Sequence, residues 1–86
     1  MQLTGTIKIK GETQEYGQKG FTKREFVVTT KEQYPQDIKL ELSKDKCALL
    51  DKFKVGQDVT VEFNLRSSEH QGKYYVNLQA WKIEGN

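Results

Sequence analysis

Phe21-Thr22-Lys23-Arg24-Glu25-Phe26-Val27-Val28-Thr29-Thr30, followed shortly by Ile38-Lys39-Leu40-Glu41-Leu42, is the stretch on which the architecture turns. Side chains along a strand point alternately to its two faces. With that period Phe26 and Val28 share a face with Arg24, while Phe21, Lys23, Glu25 and Val27 share the other. In the second run Ile38, Leu40 and Leu42 point one way and Lys39 and Glu41 the other. Two neighbouring strands thus each give an apolar face to a core. Their outer faces carry cations, an aromatic ring and a few acids, which is the make-up of a docking surface.

Working outward, Leu3 to Lys10 alternates, with Leu3, Ile7 and Ile9 read as inward. Gly5 falls on the same face, where a strand glycine marks a bend or the close approach of another backbone. A first strand that bends there can pair with both ends of a small barrel. Residues 11–20 are polar, contain three glycines and show no period, so they read as a loop in which Tyr16 and Lys19 are the gripping residues. Pro35 biases Tyr34 toward extended backbone in the turn between the second and third strands.

After the third strand, Ser43 can cap a helix with Asp45 in its first turn. Leu49, Leu50 and Phe53 give that helix an apolar stripe of two to three turns, with Cys47 beside it. Gly56 ends it. Val59, Val61, Phe63 and Leu65 read as the inward face of a fourth strand. Arg66–Gly72 reads as a polar loop, and a fifth strand follows from Lys73 to Ile83, with Tyr74, Val76, Leu78 and Ala80 alternating with Tyr75, Asn77, Gln79 and Trp81.

Five strands with one short α-helix between strands three and four is the order of the OB-fold, an all-β Greek-key barrel that binds ligands on its second and third strands and flanking loops. An SH3-like barrel is the competing fold, but it seldom has a helix at this point. A closed barrel also suits a chain of 86 residues with 30% charged side chains, read as one domain over 1–86, because it wraps one compact core without a long open edge.

The set Leu3-Thr4-Gly5, Arg24-Glu25-Phe26-Val27-Val28, Tyr34-Pro35, Val55-Gly56-Gln57-Asp58-Val59-Thr60-Val61 and Tyr74-Tyr75 with Ala80-Trp81-Lys82-Ile83 resembles a short bacterial family known as a domain of unknown function. That family is similar in architecture to single-stranded-DNA-binding proteins. The resemblance covers nearly the whole chain; the closing Ala-Trp-Lys-Ile together with Tyr-Pro is its most specific part. Members usually carry an aromatic residue, often Trp, at the start of the second strand, where this chain has Phe21. The resemblance implies an OB-fold and, by analogy alone, DNA binding.

Catalysis lacks parts. The one histidine, His70, falls in a predicted loop and the one cysteine, Cys47, in a predicted core helix, so no nucleophile with a base and an orienting group can be assembled. Glu12 and Glu15 are a conceivable carboxylate pair, but nothing would hold their loop rigid. No phosphate-cradling Gly-rich motif, metal-ligand spacing or disulfide pair occurs, and no cofactor is called for. With no secretory signal and no apolar run of membrane length, the expected setting is the cytoplasm, and the resemblance implies that of a bacterium.

Binding has better material. Sequence-tolerant single-strand binders combine aromatic platforms with a basic track. The candidate rings are Tyr16, Phe21, Tyr34, Tyr75 and Trp81, and the candidate phosphate contacts are Lys19, Lys23, Arg24, Lys39, Arg66 and Lys73. Each has a plainer alternative. Trp81 could plug a barrel end, Tyr34 could anchor its turn, Arg24 has inward parity and should then snorkel or pair with an acid, and Lys23 and Lys39 could be balanced by Glu25 and Glu41. A net charge of +2 permits nucleic acid without demanding it. The expected function is therefore a non-enzymatic module for single-stranded nucleic acid, DNA favoured. The alternative is a protein-interaction or self-assembling OB module, and a homodimer or higher oligomer fits either.

Overall fold

The computed structural model describes residues 1–16 and 21–86, with backbone only for residue 16. Among them are six strands, β1 (Gln2–Lys10), β2 (Gln14–Tyr16), β3 (Phe21–Thr30), β4 (Asp37–Ser43), β5 (Asp58–His70) and β6 (Lys73–Gly85), with one helix, Lys44–Lys52, between β4 and β5. The five expected strands are β1 and β3 to β6. The addition is β2, which forms inside the segment read as loop and pairs with β3, Tyr16 opposite Phe21.

Neighbouring strands run β1-β5-β6-β4-β3, and a β1–β3 pairing closes the ring into the Greek-key barrel of an OB-fold. Closure depends on β1 bending, as read from Gly5. Gln2 to Thr6 pair with β5, whereas Gly5 to Lys10 pair with β3. A Cβ at Gly5 would run into the Thr29 carbonyl and approach Val28 Cγ1 to 2.6 Å, so two backbones meet where only hydrogen fits. The wall is thinnest between the parallel strands β4 and β6, which share a single register pair, Glu41 with Gln79.

The core holds Ile7, Phe26, Val28, Leu40, Leu42, Val59, Val61, Phe63, Ala80 and Ile83 from the strands, closed at one end by Cys47, Leu50 and Phe53. Two bulges correct the simple alternation. Lys8 is an extra residue between Ile7 and Ile9, so Ile9 lies opposite the outward Val27 and is exposed rather than inward. On β6, Glu62 faces Lys82 and Phe63 faces Ala80. Trp81 between them has no partner, which lets both Ala80 and Ile83 point inward and leaves Trp81 exposed.

The helix is 3-10 along its length, not α. Cys47, Leu50 and Phe53 recur every three residues, which matches three residues per turn and puts all three against the barrel. Ser43 occupies the N-cap position but makes no capping side-chain bond. Its hydroxyl instead accepts a hydrogen bond from Gln79 Nε2 at 3.4 Å.

The largest departure lies between β5 and β6. Residues 66–70, read as loop, continue β5, and the reversal is made by Gln71 and Gly72 alone. Both have positive φ, 54° and 79°, as a two-residue type I′ turn requires. From Asn64 to Asn77 every residue is exposed. The hairpin therefore leaves the barrel as a two-stranded arm, and Leu65, read as inward, stands in solvent together with Tyr74 and Val76.

Candidate nucleic-acid interface

Directly opposed residues of a strand pair share a face, so the register maps the outer wall. On β3 and β4 it carries Lys23 opposite Ser43, Glu25 opposite Glu41 and Val27 opposite Lys39. Across the thin seam Gln79 lies beside Glu41. The same surface continues onto the arm through Asn64 and Gln79, Arg66 and Asn77, Ser68 and Tyr75, then His70 and Lys73. Two hydrogen bonds join the pieces: Arg66 Nε donates to Gln79 Oε1 at 3.1 Å, and Gln79 Nε2 donates to Ser43 Oγ. Gln79 is the hinge between wall and arm.

The wall is electrically quieter than its lysines suggest. Lys23 Nζ lies 2.9 Å from Glu41 Oε1, and these side chains retain 28% and 12% of their exposure, so the pair is partly sheltered. Lys39 Nζ lies 3.3 Å from Glu25 Oε2. These diagonal pairs hold the expected phosphate contacts to acids of the same sheet. On the arm the balance differs: Arg66 is bonded to a neutral amide, and Lys73 has no ion pair among the described residues.

Arg24 is removed from the surface set. It is 9% exposed and points inward, as its parity requires. Nε donates to the Gly11 carbonyl at 2.8 Å, and Nη1 donates to the Cys47 carbonyl at 3.1 Å and to Asp51 Oδ1 at 2.7 Å. One guanidinium therefore ties the segment after β1 and the 3-10 helix to β3. The hydrogen bond from Arg24 holds the Asp51 carboxyl below its ordinary range, against a smaller opposing effect of desolvation.

The rings divide. Phe21 and Tyr75 are exposed on the outer surface, at the start of β3 and on the arm. Trp81 is exposed at its bulge, so it does not plug the barrel end. Tyr34 is exposed in the β3–β4 turn, which is braced by Gln36, whose backbone N–H donates to Thr30 Oγ1 and whose carbonyl accepts from the Thr30 N–H. That turn follows Thr30, nine residues along β3 from Phe21, or about 30 Å at the rise of a strand. Tyr34 and Phe21 therefore belong to opposite ends of the sheet. Lys19 and the Tyr16 side chain lie outside the described residues.

Residues not proposed for this surface from sequence are Ser43, Asn64, Asn77 and Gln79, which give it its amide and hydroxyl lining. A sequence signal for the arm does exist. Gln71-Gly72 between two runs of strand-compatible residues is a two-residue hairpin pattern, although Asn or Asp usually stands in place of Gln71. Among the described residues no three His, Cys, Asp or Glu side chains gather as a metal site, and no helix is long and apolar enough to cross a membrane.

Fold and surface together define a small OB-fold barrel with an exposed wall and a projecting hairpin. The chain belongs to the family described as Domain of unknown function (DUF3127), whose model matches residues 2–84. Among curated proteins none matches it. Among solved structures it is similar to Rim1, a mitochondrial single-stranded DNA binding protein from S. cerevisiae, with a TM-score of 0.81 at 11% identity, covering 99% of this chain and 91% of that one. It is also similar to the SSB domain of a Synechococcus sp. protein, with a TM-score of 0.77 at 17% identity over 96% and 90% of the two chains. The N-terminal domain of PriB from Thermoanaerobacter tencongensis, described as dimeric, gives a TM-score of 0.72 at 19% identity over 100% and 93%. At these identities the likeness is one of fold.

Proposed function

We propose that the chain is a non-enzymatic module that binds single-stranded nucleic acid, DNA favoured, along the diagonal from Phe21 across Gln79 to the outer face of the arm. The observation that carries this reading is the continuity of that surface. It joins two exposed rings, Phe21 and Tyr75, to two cations without acidic partners among the described residues, Arg66 and Lys73, through a polar hinge. The likeness of the fold to single-stranded DNA binding proteins supports the choice of DNA. Trp81 and Tyr34, both exposed, flank the diagonal.

The wall lysines have a conditional role. A phosphate reaching Lys23 or Lys39 must first separate it from Glu41 or Glu25, and the acid released then repels the strand. Affinity therefore rests mainly on stacking, at roughly 1–3 kcal/mol for each of two rings. Two cations without acidic partners among the described residues give a log–log salt slope of only about −1.4. One subunit binds weakly, and pairing of subunits on one strand raises the affinity by effective concentration.

Titration of oligo-dT followed by Trp81 and tyrosine emission tests the reading. Saturable quenching with a shallow salt slope is expected. Phe21→Ala and Tyr75→Ala should each weaken binding about 5- to 150-fold, while Tyr34→Ala should change it less. Affinity that survives both ring deletions would mean that the strand lies on another face.

A further inference from the structure

The arm has a second face, which the nucleic-acid reading does not use. Its members are the opposed pairs Leu65 with Leu78, Ser67 with Val76 and Glu69 with Tyr74. Leu78 still packs against the edge of the core, and the others continue the inward parity of Phe63 and Ala80 past the rim, where no barrel remains beneath them. Leu65 is 54% exposed, Val76 66% and Tyr74 72%. An isolated two-stranded ribbon is marginal in water, and a contiguous apolar patch of this kind marks a contact surface.

We infer that this inner face is where two copies of the chain pair, arm against arm, about a two-fold axis passing near Ser67 and Val76. Three observations favour a second copy as the occupant. First, the face carries one charge, Glu69, and no cation, so it offers nothing to a phosphate backbone or an anionic lipid surface. Second, an isologous contact needs only self-complementarity: the two-fold lays Tyr74 of one arm over Leu65 and Leu78 of the other, and Glu69 falls at the solvated rim. Arg66, Lys73 and His70, on the outer faces, then point away from the contact and do not repel one another across it.

Third, the size suits a weak, reversible pair. Leu65 to Glu69 and Tyr74 to Leu78, five residues on each strand, make a face about 17 Å long. On two strands it hides on the order of 400 Å² per copy, which is the scale of weak, transient interfaces. Such a dimer would present two outward binding diagonals on opposite sides of one particle. The pairing itself does not depend on nucleic-acid binding.

Sedimentation velocity of the unaltered chain over micromolar to hundred-micromolar concentrations should show a reversible monomer–dimer equilibrium. The double substitution Leu65→Glu, Val76→Glu should leave a monomer with an unchanged far-ultraviolet spectrum. Tyr75→Ala, on the opposite face, should leave the dimer intact whatever it does to dT binding. As a check independent of folding losses, Ser67→Cys should give a disulfide-linked dimer under mild oxidation, since the native Cys47 is buried. A monomer throughout the range would overturn the pairing and leave the face to a different partner. A dimer that survives the double substitution, or a Ser67→Cys chain that stays uncrosslinked, would overturn the contact assigned here. Dimerisation by this face without dT quenching would refute the proposed function alone.

Discussion

Strand β3 and the distal half of β5 are both extended and both paired, yet they differ in what lies beneath them. In β3 every second residue from Arg24 to Val28 is buried, and each lands on the helix end or the barrel core. In β5 the same alternation runs from Val59 to Phe63 and then meets open solvent at Leu65. A side-chain period records which way residues point. Whether anything stands there to receive them depends on barrel closure, which β1 supplies to β5 only as far as Glu62. Body and arm should therefore respond differently to the same kind of injury.

The largest contrast is in stability. Phe26→Ala removes a fully buried ring and should cost about 3–5 kcal/mol, read as a fall in the urea midpoint. Tyr75→Ala removes a ring of similar size from the outer face of the arm and should move that midpoint by less than about 0.5 kcal/mol. Equal losses would mean that the arm is packed as part of the body.

A smaller contrast separates two cations three atoms of backbone apart. Arg24→Ala strips hydrogen bonds from the Gly11 and Cys47 carbonyls and from Asp51, and should cost roughly 2–3 kcal/mol. Lys23→Ala, on the opposite face, breaks its pair with Glu41 and should cost under about 1 kcal/mol. The Arg24 contacts also carry a pH signature. Because the folded Asp51 carboxyl is held below its ordinary value of 3.8, its contribution is fully present above that value and is lost as the pH falls through the folded pKa. Asp37, lowered by hydrogen bonds from Lys8 and Thr29, and Asp58, lowered by Lys31 and Thr6, act in the same direction. Thermal midpoints should fall below about pH 4, and Asp51→Asn should remove part of that fall. A midpoint flat to pH 2 would deny these pairs any role in stability.

The parts that were legible in the sequence are those in which one residue type has one physical use. Gly5 foretold the bend because only a missing Cβ lets Thr29 approach. The inward parity of Arg24 offered an acid partner as the alternative to the phosphate contact it was first read as, and Glu25 and Glu41 were visible as counterweights to Lys23 and Lys39. Both bulges were invisible, because an inserted residue changes parity without changing composition, so Ile9 turned outward and Ile83 inward against the simple alternation. The 3-10 pitch was hidden too, since Leu49, Leu50 and Phe53 satisfy an α-helical stripe as readily as Cys47, Leu50 and Phe53 satisfy a three-residue one. Of the surface proposed above, Phe21, Tyr75, Arg66 and Lys73 were candidates by chemistry alone. Their alignment was not legible, because it passes through Gln79, whose role comes from a single parallel register pair.

The finest test of the contrast lies at the tip of the arm. Gln71 occupies the left-handed region at a position where Asn pays a smaller steric penalty, because its short polar side chain bonds locally to the backbone. Gln71→Asn should therefore stabilise the turn by a few tenths of a kcal/mol, a fraction of the left-handed penalty of about 1–2. Where that gain is registered is the informative part. If the arm opens on its own, more easily than the body, amide exchange in residues 64–78 should slow by up to about threefold. The exchange of β3 and the global urea midpoint should then stay where they were. If the midpoint rises by the full gain and β3 amides slow in step, opening the turn requires opening the barrel. Arm and body would then be one cooperative unit despite the missing floor beneath Leu65 and Val76.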